Sequence, residues 1–268
     1  MIPAKFDYTK PGSVDEAVRA LADGGEDAKV IAGGQSLLPL LRLRLSFPDL
    51  LVDVGGLGEL RGVRDEGETL WIGALTTIDD AQRDPVLAQH CGLLAETAAL
   101  IADPAGDLPA VATALDATMI ARGPGGERAI GAGEFFLDYL TTALAPGEIL
   151  TGIRVPKLGP GWGYRYEKFH LTAQAWAIVG VAALARRADG HVAEARIGLT
   201  NMGLVPVRAQ AAEQAVAGAE ASTQALRAAA ERADEGTQPP SDLHGGSDYR
   251  RHLARVLTAR ALAVASGV

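Results

Sequence analysis

The segment KVIAGGQSLLP, Lys29 to Pro39, runs an apolar strand into two successive glycines, then Gln35 and Ser36, then a second apolar stretch. Residues without a Cβ adopt positive φ at little steric cost, so a strand that ends in paired glycines lets backbone N–H groups approach an anion closely. A short helix over Leu37 to Leu43, opening directly on the loop, would aim its free N–H groups and partial positive charge at whatever the loop holds. Leu50 to Val54 then reads as a second strand with Asp53 near its end, giving a βαβ-like unit. Read alone, a glycine pair after a strand also makes an ordinary turn.

Upstream, Ser13-Val-Asp-Glu16 forms a capping box for a helix whose apolar face is Ala17, Val18 and Leu21 and which Gly24-Gly25 ends. Downstream, Lys29 to Ala32 is the buried strand, Leu70 to Thr76 another, and a helix follows from Ile78. Leu93 to Ile101 and Leu108 to Leu115 read as helices separated by a turn over 102–107, and Glu134 to Leu140 as a short amphipathic helix. Glu148 to Val155 is a strand ended by Pro156, and KLGPGWG, Lys157 to Gly163, marks a boundary between a part spanning 1–157 and one spanning 163–268. The second part has strands first (Gly163 to Phe169, Ala177 to Arg186, Val192 to Leu199) and helices last (Arg208 to Asp234, Asp248 to Ser266), an α+β pattern. The Pro- and Gly-rich loop from Glu235 to Gly246 is expected to be exposed.

Composition removes several classes of function. A net charge of −8 without a dense Lys/Arg cluster argues against nucleic acid. The N-terminus has no signal-like apolar core and no long uncharged apolar run follows, so a cytoplasmic chain without a transmembrane segment is expected. The single cysteine, Cys91, excludes an internal disulfide and an all-cysteine metal or iron–sulfur site within this chain. Its five histidines lack metal-site spacing, so no metal ligands are assigned. No GxSxG elbow, P-loop or complete GxGxxG is present, and no catalytic acid, base or nucleophile can be nominated.

The ordered set AGGQSLLPLL (Ala32 to Leu41), DPAGDLPAV (Asp103 to Val111), LAPGEILTGIRVP (Leu144 to Pro156), YEKF (Tyr166 to Phe169) and YRRHLARVLTARAL (Tyr249 to Leu262) resembles the FAD-binding medium subunit of molybdenum hydroxylases. That family includes the medium subunit of aerobic carbon monoxide dehydrogenase and the flavin domain of xanthine dehydrogenase, and the resemblance spans essentially the whole chain. It implies an α+β fold: a two-part FAD-binding domain followed by a C-terminal domain of antiparallel strands and helices. It places the first pyrophosphate loop on Val30, Ile31, Ala32, Gly33, Gly34, Gln35, Ser36 and Leu37. It puts a polar contact at Asp107, apolar surface near the isoalloxazine at Leu150, and a basic residue near the flavin at Lys168.

Without the resemblance, Lys168 on an alternating strand is a solvated charge and Leu150 is core. Asp107 also stands where it would N-cap the helix that begins at Leu108. Members of the family carry a second glycine-rich loop, of the type TIGG, ahead of the DPAGD turn, whereas here LLAETAALI runs directly into ADPAGDLPAV. Either half of the pyrophosphate cradle has been lost, or the sequence skips a segment between Ile101 and Ala102, which the intact flanking motifs favour. HLTAQAW, His170 to Trp176, lacks charged residues often found there, which leaves the electron acceptor open.

The resemblance therefore implies an FAD-carrying electron-transfer subunit. Its partners would be a small subunit with 2Fe-2S clusters and a large subunit with the molybdenum cofactor, assembled as a dimer of three-subunit units. The alternative is a flavin-free assembly subunit of the same complex. A self-sufficient flavoenzyme is a third reading, and it would need an acid or base near the flavin.

Overall fold

The structure, a computed structural model, describes residues 3–101, 106–172 and 175–268. The elements in order are β1 (Asp7–Thr9), α1 (Val14–Gly24), β2 (Ala28–Ile31), α2 (Leu37–Leu43), β3 (Leu50–Asp53), β4 (Val63–Asp65), β5 (Thr69–Gly73), α3 (Ile78–Arg83), α4 (Pro85–His90), α5 (Gly92–Ala99) and α6 (Asp107–Ala114). There follow β6 (Thr118–Gly123), β7 (Gly126–Gly131), α7 (Ala132–Phe135), β8 (Phe136–Asp138), β9 (Thr141–Thr142), β10 (Ile149–Pro156), β11 (Trp162–Phe169), β12 (Val179–Ala188), β13 (His191–Thr200), β14 (Val207–Arg208), α8 (Gln210–Val216), α9 (Thr223–Ala230) and α10 (Ser247–Ala265).

A three-stranded parallel sheet, β1-β3-β2, opens the chain, with α1 packed on it through Val14, Ala17, Val18 and Leu21. The Ser13 hydroxyl caps α1 by accepting from Glu16 N at 3.2 Å, a bond whose loss costs ~1 kcal/mol in such caps. The reciprocal arm of the box is displaced by one residue, because Glu16 accepts from Gly12 N at 2.7 Å. Gly25, at φ +68, ends the helix. The βαβ unit is present, with β2 parallel to β3 through Ala28↔Leu50 to Ile31↔Asp53, but the strand read as buried is the edge of its sheet: only Ala28 is buried, and Lys29 is exposed.

Two larger antiparallel sheets follow, β4-β5-β10-β6-β7 and β11-β12-β13-β14, beside a two-stranded one, β8-β9. The short helices α5 and α6 share one apolar core with Leu70 and Ile72 of the first of these sheets and with Tyr166, Ala182 and Leu184 of the second. On the opposite face, Val179, Val181, Ala183 and Ala185 pack with α8, α9 and α10. Strand β12 is therefore buried on both faces, which explains why its sequence is a continuous run of small apolar residues rather than an alternation.

Two expected helices change form. The helix read over Glu134 to Leu140 is one turn of helix followed by the β8–β9 hairpin, whose tip holds Leu140 at φ +56. The helix read over Arg208 to Asp234 is broken into α8 and α9, because a backbone return over Gly218, Ala219 and Ala221 bonds to Val192 and Gly190 at the start of β13. Strands β1 and β4 and the β6–β7 hairpin were not read from the sequence. The loop 235–246 is mostly exposed, as expected, although Thr237 and Pro239 are buried. No helix among the described residues is long and apolar enough to cross a membrane.

Candidate flavin-binding site

The glycine loop follows the carboxyl end of β2, the edge of a parallel sheet where α/β folds place their ligands. Gly34 lies at φ +74, where a Cβ would press on Leu38 Cδ1 at 2.7 Å, whereas Gly33 faces open space, its nearest neighbour being Gln35 Cγ at 4.0 Å. Among the described residues the amides of Gly33, Gly34, Gln35 and Ser36 donate to no protein acceptor. A cleft of about 290 Å³ lies over this loop, lined by Val30, Ile31, Ala32, Gly33, Gly34, Gln35, Ser36 and Leu37. Four successive free amides beside such a cleft suit a diphosphate, an anion with several acceptor oxygens.

The neighbouring turn supports the loop from below. Asp53, at the end of β3, accepts from Gly55 N at 2.8 Å and from the Tyr8 hydroxyl at 2.5 Å. The Tyr8 bond holds the Asp53 carboxyl below its ordinary value and raises the Tyr8 hydroxyl. A Cβ on Gly55 would meet Asp53 Oδ1 at 3.0 Å and the Ala32 carbonyl oxygen at 3.3 Å, so the turn fits closely against the glycine loop. Arg61 locks it by donating to Gly55 O at 2.9 Å.

A second polar centre lies where α6 meets β11, β12 and β13. Asp107 is 1% exposed; its Oδ1 accepts from the Tyr166 hydroxyl at 2.5 Å and its Oδ2 from Lys168 Nζ at 2.8 Å. The sequence reading of Asp107 as a helix cap is corrected. Gly106 is the N-cap without a side-chain bond, and Asp107, the first residue of α6, turns its carboxylate onto β11. The reading of Lys168 as a solvated charge is also corrected, since its side chain is only 5% exposed and ion-paired. Among the described residues no acceptor takes the remaining N–H groups of Lys168.

Small residues make this approach possible. In the ladder, Lys168 pairs with Gly180 and Gly180 with Thr200, while Tyr166 pairs with Ala182 and Ala182 with Gly198. A Cβ on Gly180 would overlap the Tyr166 hydroxyl, and one on Gly198 would overlap the Ala110 carbonyl of α6. Thr200 fixes the start of that helix by donating to Gly106 O at 2.8 Å. Burial, then the charge and hydrogen bond of Asp107, hold the Tyr166 hydroxyl well above the ordinary tyrosine value, so it stays a donor.

Leu150 sits on β10 opposite Ala121 of β6, half-buried against the shared core and next to a bulge at Thr151. The structure thus joins the eight loop residues in one cleft and Asp107 to Lys168 in one ion pair. No hydrogen bond or ion pair among the described residues links these two groups. Residues 102–105 of the DPAGD turn and residues 173–174 of HLTAQAW lie outside the described residues. Tyr166, Gly180 and Thr200 were not singled out as site residues from the sequence; the signal for Tyr166 was its place two residues before Lys168, on the same strand face. Among the described residues no cluster of His, Cys, Asp and Glu could hold a metal ion, and burial pushes the Cys91 thiol up to about 12, so it is no nucleophile.

Known proteins resemble this chain along nearly its whole length. The family described as the FAD binding domain in molybdopterin dehydrogenase matches residues 4–105 and 99–158, two pieces that overlap over 99–105, around the point where the second glycine loop was expected. The CO dehydrogenase flavoprotein C-terminal domain matches residues 164–265. The carbon monoxide dehydrogenase medium chain of Hydrogenophaga pseudoflava is 38% identical, over 98% of this chain and 97% of its own. The 6-hydroxypseudooxynicotine dehydrogenase complex subunit alpha of Paenarthrobacter nicotinovorans is 36% identical, over 99% and 96%. A solved carbon monoxide dehydrogenase of H. pseudoflava superposes with a TM-score of 0.95 at 40% identity, covering 100% of this chain and 99% of its own. The chain belongs to the FAD-binding flavoprotein family of molybdopterin dehydrogenases, as an oxidoreductase component of the carbon monoxide dehydrogenase medium-chain type.

Proposed function

We propose that this chain carries FAD as the electron-transfer subunit of a cytoplasmic molybdenum-dependent hydroxylase or dehydrogenase. The observation that carries the reading is the run of free amides from Gly33 to Ser36 beside its cleft, in a chain of an FAD-binding family. Residues 1–157 form the FAD-binding part and residues 163–268 the C-terminal flavoprotein part. Bound FAD supplies the redox chemistry, taking electrons from iron–sulfur clusters and passing them to a quinone, NAD or oxygen.

The chain's own residues bind and orient. Val30, Ile31, Ala32, Gly33, Gly34, Gln35, Ser36 and Leu37 hold the pyrophosphate, with the amides as donors. Leu150 offers apolar surface to the ring system. Lys168 brings a positive charge towards it, and Asp107 and Tyr166 fix where that ammonium sits. The partners are a small iron–sulfur subunit and a large molybdenum subunit, paired as two three-subunit units. The large subunit chooses the substrate: carbon monoxide, an aldehyde or an N-heterocycle.

A second reading, a flavin-free assembly subunit, is favoured by one observation: the family match falls into two pieces at 99–105, where the second loop of the cradle belongs. The colour of the purified native complex separates the two. FAD stoichiometric with this chain supports the electron-transfer subunit, and an assembled complex without flavin on this chain supports the assembly role.

A further inference from the structure

The cleft over the glycine loop is lined by Val30 to Leu37, none of them basic, and the chain carries a net charge of −8. To a bound diphosphate, backbone amides offer partial charges only, whereas a cationic donor bonds an anion about twice as strongly as a neutral one. The turn that follows β3 gathers two cations. It abuts the cleft lining, because a Cβ on Gly55 would stand 3.3 Å from Ala32 O. Arg61 donates to Gly55 O at 2.9 Å and to Leu75 O at 3.4 Å, and its remaining N–H groups find no acceptor among the described residues. Lys10 is exposed, with Cε 3.0 Å and Nζ 3.7 Å from where a Gly56 Cβ would stand, and among the described residues its side chain forms no hydrogen bond or ion pair. The Gly56 amide donates to no acceptor among them either. Asp53 does not claim Lys10, since its two oxygens accept from Gly55 N and the Tyr8 hydroxyl.

We propose that Lys10 and Arg61, with the Gly56 amide, form a cationic wall beside the glycine loop that supplies the positive charge for the FAD diphosphate. The amides of Gly33 to Ser36 fix the anion by geometry, and the ammonium and guanidinium meet its charge. Other cations of this region are placed differently. Lys29 belongs to the first half of β2 and donates to Glu26 O, and Arg42 and Arg44 sit at the end of α2 far from the loop. The assignment also suits a sequence that runs from LLAETAALI directly into ADPAGDLPAV. Without the amides of a second glycine loop, side-chain cations have more of the anion to hold. The proposal rests on the electron-transfer reading given above and deepens it by naming residues of the cofactor site.

The test is an FAD titration of the native complex, purified through a tag on this chain and stripped of its flavin, at several salt concentrations. Wild type is compared with Lys10→Met, Arg61→Met, Arg61→Lys and Lys29→Met. Lys10→Met and Arg61→Met should each raise the FAD dissociation constant about five- to tenfold and flatten its dependence on salt, because each removes one screened charge contact. Arg61→Lys keeps the charge and should keep the wild-type salt dependence. Lys29→Met loses the same net charge and should leave the affinity within about twofold. If Arg61→Met lowers the melting temperature by loosening the turn at Gly55, Lys10→Met decides alone, since its side chain bonds to nothing among the described residues. Unchanged FAD affinity in Lys10→Met overturns the proposal. Weakened affinity with unchanged salt dependence overturns it too, and assigns both residues to holding the turn. An equal effect of Lys29→Met overturns it as well, and assigns the change to net charge. A wild-type complex that assembles and takes up no FAD contradicts the functional reading itself rather than the choice of residues.

Discussion

Lys168 Nζ donates to Asp107 Oδ2 at 2.8 Å across the seam between β11 and the first turn of α6, with both side chains buried. A buried charge is tolerated only when it is matched, and removing one partner of such a pair costs ~3–5 kcal/mol. Lys168→Met should therefore lower the free energy of unfolding by about that amount. A urea midpoint within experimental error of wild type would show that the pair is open to water.

Tyr166 completes the pair's surroundings, and its contribution depends on pH. The folded-state value lies well above the ordinary 10.0, so the unfolded chain gives up this proton first. The stabilisation is full below pH ~10 and is lost as pH rises towards the folded value. Tyr166→Phe should cost ~1.5–3 kcal/mol at neutral pH, the range for hydrogen bonds to charged groups. The gap to wild type should narrow above pH 10. A gap that widens there, in unfolding curves taken across the alkaline range, would reverse the assigned direction.

Gly180 makes room for the Tyr166 hydroxyl, so the two should couple. Gly180→Ala overpacks this point and should destabilise by ~1–3 kcal/mol. In a Tyr166→Phe background the penalty should shrink, though Thr200 Cβ, 3.2 Å from the new methyl, keeps it above zero. Additive penalties in the double-mutant cycle would mean that the hydroxyl does not fill the Gly180 space.

The two loop glycines should separate binding from folding. Gly33→Ala adds a methyl into open space and should leave stability within ~0.5 kcal/mol of wild type while lowering bound FAD. Gly34→Ala forces an alanine to φ +74 and should cost ~1–2 kcal/mol of stability as well. Thermal melts and flavin absorbance on the same samples check both, and full flavin in each variant would show that the loop is not the cradle.

What could be read in advance followed from local rules. The βαβ unit, the Ser13 cap of α1 and the glycine loop are set by residues close together in sequence and are present, although Glu16 bonds Gly12 N rather than Ser13 N and β2 is less buried than read. The β8–β9 hairpin was mistaken for helix because Phe135, Phe136 and Tyr139 also satisfy a helical period. Its strand character comes from pairing Phe136 with Thr142. The burial of Lys168 was hidden for a similar reason: its partner lies 61 positions earlier, and only the approach of α6 over Gly180 and Gly198 brings them together. Strand β1 was missed because three residues carry no period, and its identity rests on the pairing Asp7↔Leu50 to Thr9↔Val52.

The most direct test of the account is the amount of FAD on the purified native chain, read from the flavin absorption spectrum beside an intact mass compared with 27.8 kDa. The account predicts one FAD per chain, released by the variants at Gly33 and Gly34. A colourless chain of that mass within an otherwise complete complex would contradict it and leave the assembly role.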